Sequence, residues 1–134
     1  MPGRFIEAAR VEREKLSWGQ LAWLSRPSFT GAKSIATVEV QMGPGGGHSF
    51  HKHPQQEELI YVIDGEIEQW LEKQKQTLRA GDSIFIPADT VHASFNVSKK
   101  QAKVLAILGP CAGTDGYEVV DLFEQEPWKS LRKA

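Results

Sequence analysis

Three of the chain's four histidines and one glutamate stand at spacings typical of a metal site. His51 and His53 are two residues apart, and His92 follows a Gly-Asp turn and a proline further along the chain. Side chains of a β-strand alternate, so residues two apart point to the same side and both imidazoles can face one ion. Glu58 comes five residues after His53, and the intervening Pro54 indicates a bend that resets the alternation.

Three imidazoles and one carboxylate suit one divalent transition metal ion. Fe²⁺, Mn²⁺, Zn²⁺, Ni²⁺ and Cu²⁺ all accept such ligands, and the ligand types do not choose among them. A metal that takes six ligands would keep two positions for water, substrate or dioxygen. Two separate segments supply these residues and histidine is scarce elsewhere, which favours metal binding over ordinary surface or core histidines.

Short strand signals dominate the chain and must position these residues. Runs of β-branched and apolar residues between turn residues predict strands over 34–42, 58–63, 66–71, 77–78, 83–86, 91–97 and 102–108. Asp64-Gly65, between two of these runs, predicts a two-residue hairpin. Short helices are expected near the termini, around 7–15 and 125–132. This pattern is typical of an all-β sandwich or barrel.

Size and composition restrict the function classes. A chain of 134 residues is expected to form one domain, 1–134. The 16 basic and 17 acidic residues form no basic block, which argues against nucleic acid as a partner. No apolar run approaches the roughly 20 residues of a membrane span, and the charged N-terminus does not resemble a signal peptide. With Cys111 as the one cysteine, we expect a cytoplasmic protein without disulfides.

The same residues carry a resemblance to the cupin superfamily. Residues 45–65 fit its first motif, G-x5-H-x-H-x4-E-x6-G, and residues 81–96 fit its second, G-x5-P-x-G-x2-H-x3-N. One position departs, since Asp89 stands where glycine is usual, but aspartate tolerates left-handed turn geometry. The resemblance implies a single-domain double-stranded β-helix (jelly-roll barrel), similar to the small quercetin dioxygenase-like cupins. It also implies that the metal ligands are His51, His53, Glu58 and His92.

The predicted hairpin would determine which side chains face the barrel interior. Its register places Ile60 opposite Gln69 and Glu58 opposite Leu71. If Glu58 points inward, so do the candidate substrate-pocket residues Ile60, Val62, Ile67 and Gln69. Two interpretations of Gln69 stay open: a polar contact for substrate, or a barrel-end residue bonded to backbone.

The other face of these strands carries a stripe of large apolar side chains, Leu59, Tyr61, Ile63 and Trp70. Such a stripe is costly in water, so a second subunit or the segment 16–24 is expected to cover it. We predict a homodimer. Outside the motifs, His48 is interpreted as an exposed loop residue and Cys111 as an unreactive thiol.

The leading functional hypothesis is a metal-dependent, dioxygenase-like enzyme that acts on a small organic molecule. Glu58 would serve as metal ligand and as catalytic base toward an enol or enolate substrate. One alternative is a sugar-phosphate isomerase similar to the cupin phosphomannose isomerases, although the inward positions offer no Arg or Lys for a phosphate. Another alternative is a non-catalytic barrel that binds or senses a small molecule.

Overall fold

Two antiparallel β-sheets, packed face to face, form the body of the protein. The computed structural model describes residues 3–132. The strands are β1 (Glu12–Leu16), β2 (Gly19–Ser25), β3 (Ala36–Met42), β4 (Gly47–Lys52), β5 (Glu57–Asp64), β6 (Glu66–Leu71), β7 (Gln74–Arg79), β8 (Ser83–Ile86), β9 (His92–Phe95), β10 (Ala102–Gly109) and β11 (Val120–Asp121). The helices are a 3₁₀ turn (Ala8–Arg10), α1 (Pro27–Thr30) and α2 (Trp128–Leu131). Within 3–132 no helix has the length and apolarity needed to cross a membrane.

The strand order explains how distant segments meet. One sheet has six strands in the order β1-β2-β3-β10-β5-β8, and the other has five in the order β11-β4-β9-β6-β7. Chain neighbours β4 and β5 therefore lie in different sheets, as do β5 and β6. The prediction of an all-β, jelly-roll type of fold is confirmed.

The inner faces of the two sheets form the core, as alternation along the strands requires. In β3 and β10 every second residue is buried, which is the pattern of a strand with one face on a core. Met42, Val62 and Ile67 are among the side chains at most 1% exposed. Packing of this kind contributes most of the stabilising free energy of a domain this size.

The predicted hairpin at Asp64-Gly65 is wrong. β5 pairs with β10 and β8, while β6 pairs with β7 and β9, so the chain turns a corner from one sheet to the other at Gly65. Gly65 has a φ of 77°, and a Cβ there would lie 2.6 Å from the carbonyl oxygen of Gln101. The corner needs glycine for both reasons. Local turn chemistry cannot distinguish a hairpin from such a corner.

The N-terminal predictions also need correction. Residues 7–15 form a single 3₁₀ turn and then β1, not a helix. The segment 16–24 does not cover the apolar stripe, because β2 is itself a strand of the six-stranded sheet and buries Leu21 and Trp23 in the core. At the C-terminus the helical prediction is confirmed in part, by α2.

The apolar stripe is divided between the two sheets. Trp70 is 5% exposed, on the outer face of the five-stranded sheet, where Phe50 and Trp128 pack against it in one cluster. Leu59, Tyr61 and Ile63 are 39–45% exposed on the six-stranded sheet. Phe85, paired with Leu59, is 54% exposed and extends this uncovered face.

Candidate metal centre

The structure brings the four predicted ligands together between the sheets. His51 on β4 and His92 on β9 are direct cross-strand partners. His53 follows the end of β4, and Glu58 projects from β5 in the facing sheet. The change of sheet between residues 53 and 57 resolves the odd spacing, because the inner faces of the two sheets point toward each other.

The four side chains converge tightly on one point. Each offers a ligand atom, and all four atoms lie within 4.8 Å of one another. The four side chains are buried, none more than 6% exposed. A buried cluster of this size and composition can hold a single transition metal ion.

Each histidine is oriented through its other ring nitrogen. Nδ1 of His51 lies 2.6 Å from the carbonyl oxygen of Ser49, and Nδ1 of His92 lies 2.9 Å from that of Thr90. Nδ1 of His53 lies 2.6 Å from the carbonyl oxygen of Glu118. A carbonyl oxygen can only accept, so each Nδ1 donates a hydrogen and leaves the Nε2 lone pair free for a metal.

Three buried polar atoms at the centre confirm that the site fits a cation. Nε2 of His92 and Nε2 of His53 lie 2.8 and 3.1 Å from Oε1 of Glu58. None of these three atoms has a partner at hydrogen-bonding geometry within residues 3–132. An unpaired buried polar atom costs about 1–3 kcal/mol, a penalty that coordination of one ion by all three would remove.

The electrostatics of the cluster favour an ionised carboxylate. Burial opposes ionisation of Glu58, but its contacts with His53 and His92 hold its pKa well below the usual range. Burial lowers the pKa of His51. Burial would also lower the pKa of His53, yet contact with the Glu58 carboxylate outweighs burial and raises it. Protons compete with a metal ion for these imidazole nitrogens, so metal binding is expected to weaken at low pH.

The departure at Asp89 keeps the turn of the second motif. Its φ is 63°, in the left-handed region where the motif usually has glycine, as expected from the sequence. The backbone N–H of Asp89 donates to the carbonyl oxygen of His53 at 3.0 Å. Lys52 points away from the ligands and pairs with the Asp89 carboxylate at 3.0 Å. The turn is thus bonded to the segment that carries His51 and His53.

His48 is a site residue that sequence reasoning missed. Its ring stacks on His51 with centroids 3.5 Å apart, and Trp18 stacks on its other side at 4.5 Å. The prediction of an exposed residue is wrong, because the His48 side chain is 21% exposed. Burial of the ring lowers the pKa of His48 to about 3. His48 lies outside the four-residue ligand cluster. The spacing of His48 and His51 gives no signal, because the pairing of β4 with β9 is irregular between them.

Gln56 is the second residue that the sequence did not reveal. It is 1% exposed, and its Nε2 donates to the carbonyl oxygens of Pro110 and Gly116, both at 2.8 Å. Its Oε1 accepts from the backbone N–H of Glu118 at 2.9 Å. Gln56 therefore anchors the loop whose Glu118 carbonyl orients His53.

Three cavities lie at or beside the candidate metal centre. Two inner cavities of about 40 Å³ each touch His51 and Glu58. A wider cavity of about 480 Å³ lies outside them, here called the mouth cavity. The mouth cavity and one inner cavity share Trp18, Leu21, Trp23, His48 and Tyr117. A ligand in the mouth cavity would therefore adjoin the metal centre.

The candidate pocket residues are all buried, but they have different surroundings. Ile60 lines an inner cavity beside His51, whereas Val62 and Ile67 are part of the hydrophobic core. Gln69 accepts a hydrogen bond from Ser94 at 2.6 Å and donates to the carbonyl oxygen of Trp70 at 3.1 Å. These bonds favour the interpretation of Gln69 as a residue bonded within the protein. Burial raises the pKa of the Cys111 thiol, consistent with an unreactive cysteine.

Comparison with known proteins identifies relatives across most of the chain. The profile of the family described as Cupin domain (Cupin_2) matches residues 38–108. The chain is 33% identical over 112 residues to "Polyketide synthase CurC" of Streptomyces cyaneus, covering 84% of this chain and 73% of that protein. It is 32% identical over 123 residues to "Protein SchB" of Streptomyces halstedii, covering 92% and 89%.

Two further similarities are more limited. "Quercetin 2,3-dioxygenase" of Bacillus subtilis is 32% identical over 69 residues, which cover 51% of this chain and 20% of that protein. A crystal structure of a predicted oxalate decarboxylase from Thermotoga maritima superposes with a TM-score of 0.72 at 19% identity, covering 80% and 99%. At that identity the superposition shows a shared fold.

Proposed function

The chain belongs to the cupin family, and from that premise we propose a metal-dependent, dioxygenase-like enzyme that acts on a small enolic or phenolic molecule. The observation that carries the proposal is the buried cluster of three Nδ1-anchored histidines and one carboxylate beside an accessible cavity. His51, His53, His92 and Glu58 are proposed as ligands of one divalent ion.

The metal ion and Glu58 would have different roles in the proposed reaction. A divalent ion held there would supply a Lewis acid that stabilises negative charge on an enolate oxygen. Glu58 stays ionised at neutral pH, which suits a ligand. A general base works best with a pKa near the operating pH, so the depressed pKa of Glu58 favours its role as a ligand over its role as a proton acceptor.

Two relatives support the class of substrate. The name of CurC from Streptomyces cyaneus connects that protein with polyketide synthesis. Polyketide chains carry alternating carbonyls that enolise, so they offer the oxygen the proposed chemistry requires. The partial match to quercetin 2,3-dioxygenase points in the same direction.

The alternatives receive less support. A sugar-phosphate isomerase needs a cationic group for the phosphate. Among the described residues that line the mouth cavity, Arg26 is the one cation, and its Nε lies 3.1 Å from the carboxylate of Asp115. A non-catalytic barrel in which a metal stabilises the fold is separated from an enzyme by the test below.

The test is elemental analysis of the purified protein, followed by oxygen-uptake measurements with enolic and catecholic compounds. We expect about one transition metal ion per chain and oxygen consumption that a chelator abolishes. Protein that contains no transition metal and cannot be loaded with one would contradict the proposal. Loss of thermal stability on metal removal, without turnover of any compound, would favour the non-catalytic barrel.

We also propose that the exposed face of the six-stranded sheet forms a homodimer. Leu59, Tyr61, Ile63 and Phe85 are 39–54% exposed on this face. Burying four such side chains would contribute on the order of several kcal/mol by area, before the cost of association.

The location of the protein in the cytoplasm stays a prediction.

Tyr61→Lys is expected to convert the dimer to a monomer, because it places a charge at the centre of this face. Light scattering at micromolar concentration should give twice the 14.9 kDa of one chain for the natural protein and 14.9 kDa for the variant. Val97→Lys is the control, since it adds the same charge at a residue 64% exposed outside this face. A monomeric natural protein would refute the dimer.

A further inference from the structure

The geometry points to the mouth cavity as a site for an uncharged, flat phenolic or enolic ligand, which accepts a hydrogen bond from Trp23 and is preferred over dianions. This inference rests on the proposed function, because it names the class of ligand on which the proposed enzyme would act. A cavity of about 480 Å³ is within the range of small-molecule sites.

Aromatic side chains make the walls flat. Trp18 and His48 line the mouth cavity and stack with an interplanar angle of 13°. His48 stacks in turn, at 11°, on His51, which lines the inner cavities. Tyr117 meets Trp23 edge-on, with ring centroids 5.3 Å apart. Aromatic walls favour a planar ligand through stacking and edge contacts, beyond the area they bury.

The charges around the mouth disfavour anions. Glu14, Glu118 and Asp121 line the cavity, and Arg26 is the single cation that residues 3–132 contribute to its lining. Arg26 is already neutralised by Asp115, and its guanidinium lies 3.8 Å over the Trp23 ring. A dianion entering this cavity meets repulsion from like charges that no free cation compensates.

The charge at the metal centre fits the same ligand. A divalent ion held by three neutral imidazoles and the Glu58 carboxylate would leave one net positive charge. A phenol or enol that releases one proton to solvent on binding would neutralise that charge, whereas a dianion would overcompensate it next to the acidic rim. The site therefore suits a ligand that is neutral in solution and singly ionised when bound.

Trp23 lines the mouth cavity and carries a buried indole N–H that has no partner in the described part of the chain. Its side chain is 3% exposed and lines both the mouth cavity and an inner cavity. Its Nε1 has no hydrogen-bond partner within residues 3–132. Buried donors are normally satisfied, so a carbonyl or hydroxyl oxygen of the ligand provides the missing partner.

The test measures binding of two probes with the same ring system by calorimetry: naphthalene-2,3-diol, largely uncharged at neutral pH, and naphthalene-2,3-dicarboxylate. Both are titrated into the full chain, metal-free and loaded with redox-inert Zn²⁺. We expect the diol to bind at least about tenfold more tightly in both forms. Absence of diol binding, or equal affinity for the dicarboxylate, would overturn the inference.

Two variants test the residues separately. Trp23→Phe keeps an aromatic ring but removes the N–H, and should weaken diol binding about five- to tenfold. If folded Trp23→Phe binds the diol with unchanged affinity, the Trp23 N–H does not donate a hydrogen bond to the ligand. Glu14→Gln, at an exposed residue, should reduce the ratio of diol affinity to dicarboxylate affinity about two- to fivefold. An unchanged preference would contradict the role of the acidic rim.

The outcomes distinguish failure of this inference from failure of the proposed function. A chain that binds the diol but cannot be loaded with a metal keeps this inference and loses the metal-dependent activity. A chain that binds a metal but not the diol keeps the proposed metal site and loses this inference.

Discussion

His51→Ala, His53→Ala and His92→Ala are each expected to abolish stoichiometric metal binding. Each change removes one of four ligands whose atoms lie within 4.8 Å of one another. The loss in affinity should exceed the about 10- to 100-fold that a change outside the ligand shell produces. Glu58→Gln should weaken binding less, because an amide oxygen can still coordinate. Elemental analysis after dialysis against a weak chelator measures the occupancy.

His48→Ala provides a matched control for this prediction. It removes the same side chain from the same strand, and its ring stacks directly on His51 without belonging to the cluster. We expect His48→Ala to retain metal where His51→Ala does not. Normal metal content in His51→Ala and His92→Ala, or equal losses in His48→Ala, would refute the site as assigned.

Gln56→Leu is expected to destabilise the fold by about 3 kcal/mol or more and to weaken metal binding about tenfold. Leucine fills a similar volume but makes none of the three bonds that hold residues 110–118. Three backbone groups then lose their partner. The Glu118 carbonyl, which receives the hydrogen of His53 Nδ1, is no longer held in place. Urea unfolding followed by tryptophan fluorescence and a metal titration measure the two effects.

Gln55→Leu is the control, because it makes the same change at the preceding, exposed residue. Its side chain reaches the Glu118 carboxylate at 3.4 Å, so its loss should change stability by no more than about 0.5 kcal/mol. If both variants unfold at the same urea concentration, Gln56 does not anchor the loop. If Gln56→Leu loses stability but binds metal normally, its role is structural and does not extend to His53.

The sequence by itself determined which four side chains converge, His51, His53, Glu58 and His92, and it determined the alternation of the strands. Histidines are scarce, four in 134 residues, and imidazole is a specific metal ligand. Their spacing is therefore informative without knowledge of which strands pair. The inward set Ile60, Val62, Ile67 and Gln69 was also obtained correctly, although the hairpin used to derive it was wrong. Alternation within a single strand depends on backbone geometry alone, and it holds whichever strand lies alongside.

The tertiary structure decided which strands pair and what surrounds the metal centre. Gly65 lies at a corner between two sheets, because β5 and β6 pair with different strands and not with each other. The turn residues alone do not determine this. The position of His48 depends on the pairing of β4 with β9, and that of Gln56 depends on its bonds to the loop 110–118. Only the tertiary structure shows that Trp23 lines the mouth cavity. These contacts join residues far apart in the chain, and local propensity contains no information about them because it reflects only near neighbours.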